Sequence, residues 1–569
     1  MNPYLINRKT LLILFSLFSA LQISFSAYAA SSGGLGFDIT ERSVDKEMFQ
    51  ESFKVQEEQI LPYFDIPEAD LSKVESPQQV KNNYKNVLTL VLQKKIPQAT
   101  TKVDALIQDN PDQSIYYNLK ALLKLIDNDL PAAKQSFQTA IKLNKYNTQA
   151  YAGLAQIALQ EKQLKQAKQY ANQALAINPR STSAYQILAT ITLQEKGIDA
   201  TETLLLDANQ KVRGNLTDEL KILNDLRRIY SAKKQPEKLL PLATDLVARY
   251  PDEAPALSYL AGAQLLNNDD KGTEKTLRQL IALQPSNGNY RYFLARVLGK
   301  QKGKETEILI QLDKAAVSAD NPALILSYKT LILSRQKRYT EALAVAQLVD
   351  ESNPELSLGK ILKGDIYFAE KKYPEALQNY QRAYQKKPST QTLDKILKTM
   401  LVQNKRNDAS RFLQQELEKN PDNTLIQLRL ASLYQSSKQY DLAIKHYESV
   451  LANQPDNLIV LNNLAWLYSQ QNNPKALELA QQAYTKAPKS AAIADTYGYI
   501  LLKNGKANES LTVLKHAAQL APEIAEIQLH LAEAYIATQQ KSQAKEILQL
   551  IISEQGKEAT AARKLMQKI

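Results

Sequence analysis

The sequence predicts an all-α solenoid of about 14 helix-turn-helix repeats, and three observations carry that prediction. Leu, Ala, Gln and Lys, all good helix formers, dominate a chain with only 16 Gly in 569 residues, too few for a β-rich fold full of tight turns. Prolines fall on a lattice: Pro354, Pro388, Pro421, Pro455, Pro488 and Pro522 are 34, 33, 34, 33 and 34 residues apart, and Pro111 and Pro179 are separated by two steps of 34. Within each period small residues recur at fixed places, which is what two closely crossing helices require. With 44% hydrophobic and 23% charged residues the composition is that of a folded chain, neither disordered nor polytopic in a membrane.

In chain order, residues 1–29 read as a signal peptide. Arg8 and Lys9 form the positive start, Leu11 to Ile23 an apolar run, and Ala27-Tyr28-Ala29 a small-x-small cleavage site. The alternative reading is an uncleaved anchor, for which the run is short. No later stretch approaches the ~20 apolar residues of a membrane-spanning helix, so the expectation is a periplasmic or otherwise exported bacterial protein that spans no membrane after cleavage. Residues 30–77 form an acidic N-terminal segment: Ser31 to Pro77 holds eleven acidic and four basic side chains, a charge of −7. The whole chain is +12, so with the leader's two positive charges set aside Gln78 to Ile569 carries +17. Two readings stand: an arm that folds back on a basic array, or a solvated linker.

Residues 78–556 hold the array, 14 units of about 34 residues. The unit ending at Pro388 places Gly364, Tyr367, Ala376, Tyr380 and Ala383 where small and aromatic residues alternate across a helix pair. The unit ending at Pro455 gives Leu430, Ala431, Tyr434, Ala443 and Tyr447 in corresponding slots, and Ala133, Phe137 and Ala140 repeat the second-helix pattern earlier. A proline after each second helix stops it, because the residue before proline disfavours the α region. The register weakens between Ser181 and Ala243 and between Lys300 and Thr340, read as degenerate repeats or bends. Residues 557–569, with Ala561, Ala562, Leu565 and Ile569 at helical spacing, are predicted to cap the last pair.

These positions resemble the tetratricopeptide repeat (TPR) over about 480 residues. The resemblance implies a right-handed superhelical solenoid whose first helices line a groove that binds other proteins. The runs Asn462-Asn463-Leu464-Ala465-Trp466 and Asp495-Thr496-Tyr497-Gly498-Tyr499 further resemble the C-terminal repeats of bacterial envelope TPR proteins of the PEP-CTERM and exopolysaccharide type. The carboxylate clamp of chaperone-binding members is not matched: Asn463 holds its slot, but Leu428 and Ser432 stand where Lys and Asn are needed.

Chemistry is otherwise sparse. Without Cys there are no disulfides, thiolate metal sites, cysteine nucleophiles or lipidated N-terminal Cys. His446, His516 and His530 stand in no paired metal-ligand spacing, and no G-x-S-x-G, G-x-x-x-x-G-K-[ST] or G-x-G-x-x-G string occurs, so no enzyme, cofactor or metal is expected. Most of the 29 Tyr occupy packing positions of the repeats. The positive charge is spread along the array and a leader removes the chain from nucleic acid, which leaves other proteins, envelope or secretion components among them, or an acidic polymer or protein surface as partners.

The candidate groove residues are Asn462 with Trp466, Asp495 with Tyr499, and Leu529 with Glu533, each pair four apart and so on one helical face, with Glu526 a turn before the last. Trp466, the only Trp, either faces the groove as an anchor or packs against a neighbouring helix. The functional expectation is a non-enzymatic periplasmic scaffold in envelope assembly or in export of exopolysaccharide or protein. The alternative is a general chaperone-like or adaptor module for secreted proteins without a polysaccharide role. The leader predicts a mature chain beginning near Ala30; N-terminal sequencing of the exported protein checks it, and an intact Met1 on a membrane-bound product overturns it.

Overall fold

The computed structural model describes residues 76–319, 322–352, 354–355, 357–554 and 556–569; the expected signal peptide and nearly all of the acidic segment lie outside the described residues. The described residues hold 29 α-helices and no strand, numbered here α1 (Pro77–Leu92) to α29 (Ala559–Met566) in chain order. Helices α1 to α28 alternate as first and second members of successive pairs. None of the described helices is long and apolar enough to cross a membrane.

The turn inside each pair is built the same way. One residue after the first helix takes the left-handed conformation, with φ between 54° and 84°: Lys94, Asn128, Lys162, Gly197, Lys234, Asn268, Gly303, Lys337, Lys371, Asn404, Lys438, Asn472, Gly505 and Gln539. That is 14 turns, one per predicted repeat, and only three of them use Gly. The strain of a non-Gly left-handed residue is offset by hydrogen bonds that close the helix end: after Phe368, the Lys371 N–H donates to the Phe368 carbonyl (3.0 Å) and the Lys372 N–H to the Tyr367 carbonyl (2.8 Å). The turn between pairs uses proline and a side-chain cap. Pro421 and Pro455 follow helix ends, and two residues on, Asn423 and Asn457 accept from the Ile426 and Val460 N–H groups, both at 3.2 Å.

Packing inside a pair depends on one small residue of the first helix lying under a large residue of the second. A Cβ added to Gly364 would stand 2.5 Å from the Tyr380 ring and one on Gly498 would stand 2.6 Å from Leu514; between pairs, one on Gly153 would stand 2.3 Å from Phe137 of the preceding second helix. Ala431 fills the same slot one repeat after Leu397, and both it and Tyr447 are 0% exposed. The tyrosines at these positions are core residues, as their spacing predicts.

The described chain divides into two compact units, one ending at Arg335 and the other running from Gln336 to Ile569. In the first, the weak register after Ser181 has a structural cause. The left-handed turns at Gly197 and Lys234 are 37 residues apart, against 33 to 35 elsewhere. The surplus lies in α9 (Leu216–Ala232), 17 residues long where neighbouring first helices have 13 to 15, and it follows a loop in which Gly214 takes φ +93°. Glu219, fully buried on α9, pins this loop by accepting from the Gly214 N–H (2.8 Å) and the Tyr250 hydroxyl (2.9 Å) and by pairing with Arg249 of α10 (Leu239–Arg249). A buried carboxylate so fully bonded replaces the missing consensus packing.

In the second unit one core runs from Ala376 to Ile500. At its end, α29 lays Ala559 and Ala562 against the last pair, with Ala562 packed in a cluster with Leu529, Leu548 and Ile551. Because Ala431 is fully buried at its crossing, Ala431→Leu is expected to destabilise the chain by ~1–3 kcal/mol through overpacking. A chemical denaturation midpoint unchanged from the parent would contradict this packing register.

Candidate partner-binding face

The face examined runs over consecutive first helices of the second unit: α17 (Leu358–Ala369), α19 (Thr390–Val402), α21 (Thr424–Ser436), α23 (Leu458–Gln470), α25 (Ala491–Lys503) and α27 (Ala525–Ala537). Counting from the crossing position in each, occupied by Gly364, Leu397, Ala431, Ala465, Gly498 and Ala532, the residue three before it on α19 and on α25 meets the residue two before it on the next first helix. This joint recurs with different chemistry. At α19/α21 Arg429 grips Asp394 with two parallel bonds, Nε to Oδ1 at 2.8 Å and Nη2 to Oδ2 at 2.9 Å. At α25/α27 the His530 Nδ1 lies 2.9 and 3.0 Å from the two Asp495 oxygens. At α21/α23 the pair is Leu428 and Asn463, and the Asn463 amide turns to the Tyr447 hydroxyl (3.1 Å). At α23/α25 the pair is Asn462 and Thr496; the Thr496 hydroxyl donates to the Ala492 carbonyl (3.0 Å), and Asn462 Oδ1 is buried without a hydrogen-bond partner.

The structure therefore splits the candidate residues. Asp495 and Tyr499 come together with His530, whose ring lies 4.5 Å from the Tyr499 ring, and Lys503 Nζ stands 5.3 Å from the centre of that tyrosine. Glu526 is exposed and Glu533 half-buried on the same helix as His530, close enough to act on its charge. Asn462 and Trp466 lie one repeat earlier. Trp466 is half-buried and meets the Tyr440 ring edge-on at 5.9 Å, so it packs against the preceding second helix, α22 (Tyr440–Asn453), while part of it stays accessible. Leu529 departs from the expectation of a groove contact: it is 9% exposed and buried with Ala562 of α29. The reason is the joint itself. Leu529 stands at the position that Asp394 and Asp495 hold in their helices, and α29 packs over it.

His530 is the residue the sequence reading missed. Its partner lies 35 positions away, and only the stacking of α27 on α25 makes them neighbours. Among the described residues no group of three or more His, Asp or Glu is placed to hold a metal ion.

Charge is graded along the face. Near its start Lys360 and Lys363 both hold Asp350, at 2.8 and 3.0 Å. Burial raises the Asp350 carboxyl, but the two ammonium groups outweigh it and leave its pKa below the ordinary carboxylate range. Lys395 pairs with Asp365, which also accepts from the Tyr380 hydroxyl (2.6 Å), and Lys398 is exposed beyond it. The far end, with Asp495, Glu526 and Glu533 around His530, is acidic. Between them lie Ser432, Asn463 and Trp466, polar or aromatic and partly accessible.

Comparison with known proteins gives the repeats their name. A tetratricopeptide repeat model matches residues 124–191 and 501–569, and a second model of the same description matches 423–489. The chain thus carries tetratricopeptide repeats in both units. No curated protein matches it. Solved structures that resemble it include yeast Tom70, at 15% identity with 80% of this chain and 99% of that one covered and a TM-score of 0.33. Others are the Cut9–Hcn1 hetero-tetramer of the APC/C, at 12% identity, 88% and 98% coverage and a TM-score of 0.33, and a double mutant of MamA RS-1, at 16%, 28% and 91%, and 0.26.

His530 supplies a direct test of the joint. Burial disfavours its charged form, but the bond to Asp495 and the charges of Asp495, Glu533 and Glu526 prevail, raising its pKa above the ordinary 6.5. His446, half-buried and near Lys445, is shifted the other way. The His530 pair accordingly contributes stability in full below pH 6.5 and loses it as pH rises through the folded-state value. In an NMR pH titration His530 should be the later of these two histidines to deprotonate, and Asp495→Asn should drop its midpoint to or below that of an ordinary histidine because burial remains. A His530 midpoint unmoved by Asp495→Asn contradicts the pairing.

Proposed function

We propose that this array of tetratricopeptide repeats is a non-enzymatic periplasmic scaffold that holds other proteins during envelope assembly or the export of surface polysaccharide or protein. Tetratricopeptide repeats bind proteins, and the first-helix face of the second unit supplies what such binding needs. The carrying observation is the grading of that face from the lysines of α17 and α19, through Ser432, Asn463 and the half-buried Trp466, to the acidic cluster around His530. A partner segment laid along it would meet cations first and carboxylates last, so the face selects a partner of opposite gradation and orients it. Rim charges of this kind govern association rate and register more than affinity, while Trp466 offers the aromatic anchor. The leader sequence and the resemblance of residues 462–466 and 495–499 to envelope proteins support the periplasmic setting.

A photoreactive side chain placed at Ser432 or Tyr499 in the exported chain should give discrete protein adducts. One at Gln415, exposed on the second helix α20 (Arg406–Lys419), should give few. Trp466→Ala should reduce the adducts several-fold without lowering the helical signal. Equal yields from all three positions would rule out this face, and adducts formed only with cytoplasmic proteins would rule out the setting.

A further inference from the structure

We propose that the face α1 turns away from the array is covered by this chain's own acidic segment, Ser31 to Glu75, which docks there through its carboxylates. The motive is a change of chemistry at one set of positions. The left-handed turns at Lys94 and Asn128 are 34 residues apart, so α1 aligns with α3 (Ser114–Ile126) at that offset. On α3 the residues that meet the preceding pair are Ile115, Tyr116, Leu119 and Leu123, each exposed by 2% or less and packed in one core with Tyr84, Val87 and Val103. The matching residues of α1 are Lys81, Asn82, Lys85 and Thr89, and all four are exposed.

The charge of this end is unbalanced. Residues 77–180 hold fourteen Lys and Arg against six Asp and Glu, nearly half of the array's +17. Lys120, Lys134 and Lys168 pair with carboxylates there, whereas Lys81 and Lys85 have no carboxylate partner among the described residues. The −7 segment ends at Glu75, beside the Ser76 N-cap of α1, and Asp65, Glu68, Asp70 and Glu75 against Lys73 make its final stretch the complement of the exposed face. At 1.5 Å per residue α1 is only ~24 Å long, and the extended chain of residues 65–75 spans ~36 Å, so a segment that doubles back reaches both lysines. A tether this short holds its carboxylates at an effective concentration in the millimolar range, which favours them over a free acidic partner. The other end of the array is also closed by a terminal segment, α29, which packs over Leu529. That end and its cover are apolar; at α1 the end is cationic and the cover anionic.

The chain contains no Cys, so two introduced cysteines can carry nitroxide labels without background. Labels at Ile66→Cys in the segment and Gln93→Cys at the end of α1, in the full mature chain, should give one narrow separation at low salt. It should broaden as added salt screens the contact, the screening length being ~8 Å at physiological ionic strength. Lys81→Glu with Lys85→Glu should replace it by the wide spread of a tethered coil, and adding Glu68→Lys and Asp70→Lys to that variant should restore the narrow separation. Lys162→Glu with Lys165→Glu, at exposed positions of the third repeat, should leave it unchanged. Circular dichroism checks that each variant keeps its helical content. A wide spread in the parent chain overturns the docking and leaves the polar face of α1 as a solvated end of the array. A narrow separation that ignores Lys81→Glu with Lys85→Glu, or that is lost equally with Lys162→Glu and Lys165→Glu, overturns this face as the docking site. Because α1 lies in the first unit, none of these outcomes bears on the partner face of the second.

Discussion

The helix pairs of the second unit, α19/α20 excepted, stand on one steric requirement: a residue with little or no side chain must lie beneath a large one where the two helices cross. Gly364 under Tyr380 and Gly498 under Leu514 leave no room for a methyl group. Close approach buries whole rings and brings the helix backbones together, and in interiors packed as densely as organic crystals one added methylene is felt. The left-handed turn that closes every first helix serves the same end, because it fixes where the second helix starts relative to the crossing. A repeat protein must meet this requirement again in every unit, since each unit packs mainly on its neighbours and cannot borrow stability from a distant core.

Where the rule is relaxed, the surroundings change in traceable ways. Before α9 the loop at Gly214 is tied down by a buried, fully bonded Glu219 rather than by consensus packing. At Leu397 and Leu413 two middle-sized side chains are buried in the same core where a ring on a small residue is usual. At the end of the array, the face of Leu529 that would meet another repeat is closed by α29. The joints between first helices show the same economy: one geometric position is an arginine fork, a histidine–aspartate pair or an unpartnered asparagine, according to which side chains the two helices supply. This variability at constant geometry is what allows identical scaffolding to present a graded surface.

The fold was legible in the amino-acid sequence because its signals are local and repeated. The proline lattice, the small residues and the aromatic positions each recur about every 34 residues, so the helix pairs, their number and the core identities of Tyr380, Tyr447 and Ala431 could be read without coordinates. The candidate face was legible only in part. Helical spacing placed Asp495 with Tyr499 and Asn462 with Trp466, but spacing within one helix says nothing about what the next helix brings to meet it. His530 and Arg429 gained their roles from neighbours 35 residues away, and Leu529 lost its expected role because α29 lies across it.

The sequence by itself thus determined the architecture, since period and crossing-residue size are properties of the chain read one repeat at a time. Only the tertiary structure decided which side chains pair across the joints, that Trp466 packs against Tyr440, and that Leu397 and Leu413 share one core. These are outcomes of stacking. They depend on the angle and offset between helices, and a difference of a few ångströms there, which no residue pattern encodes, separates an ion pair from two solvated charges.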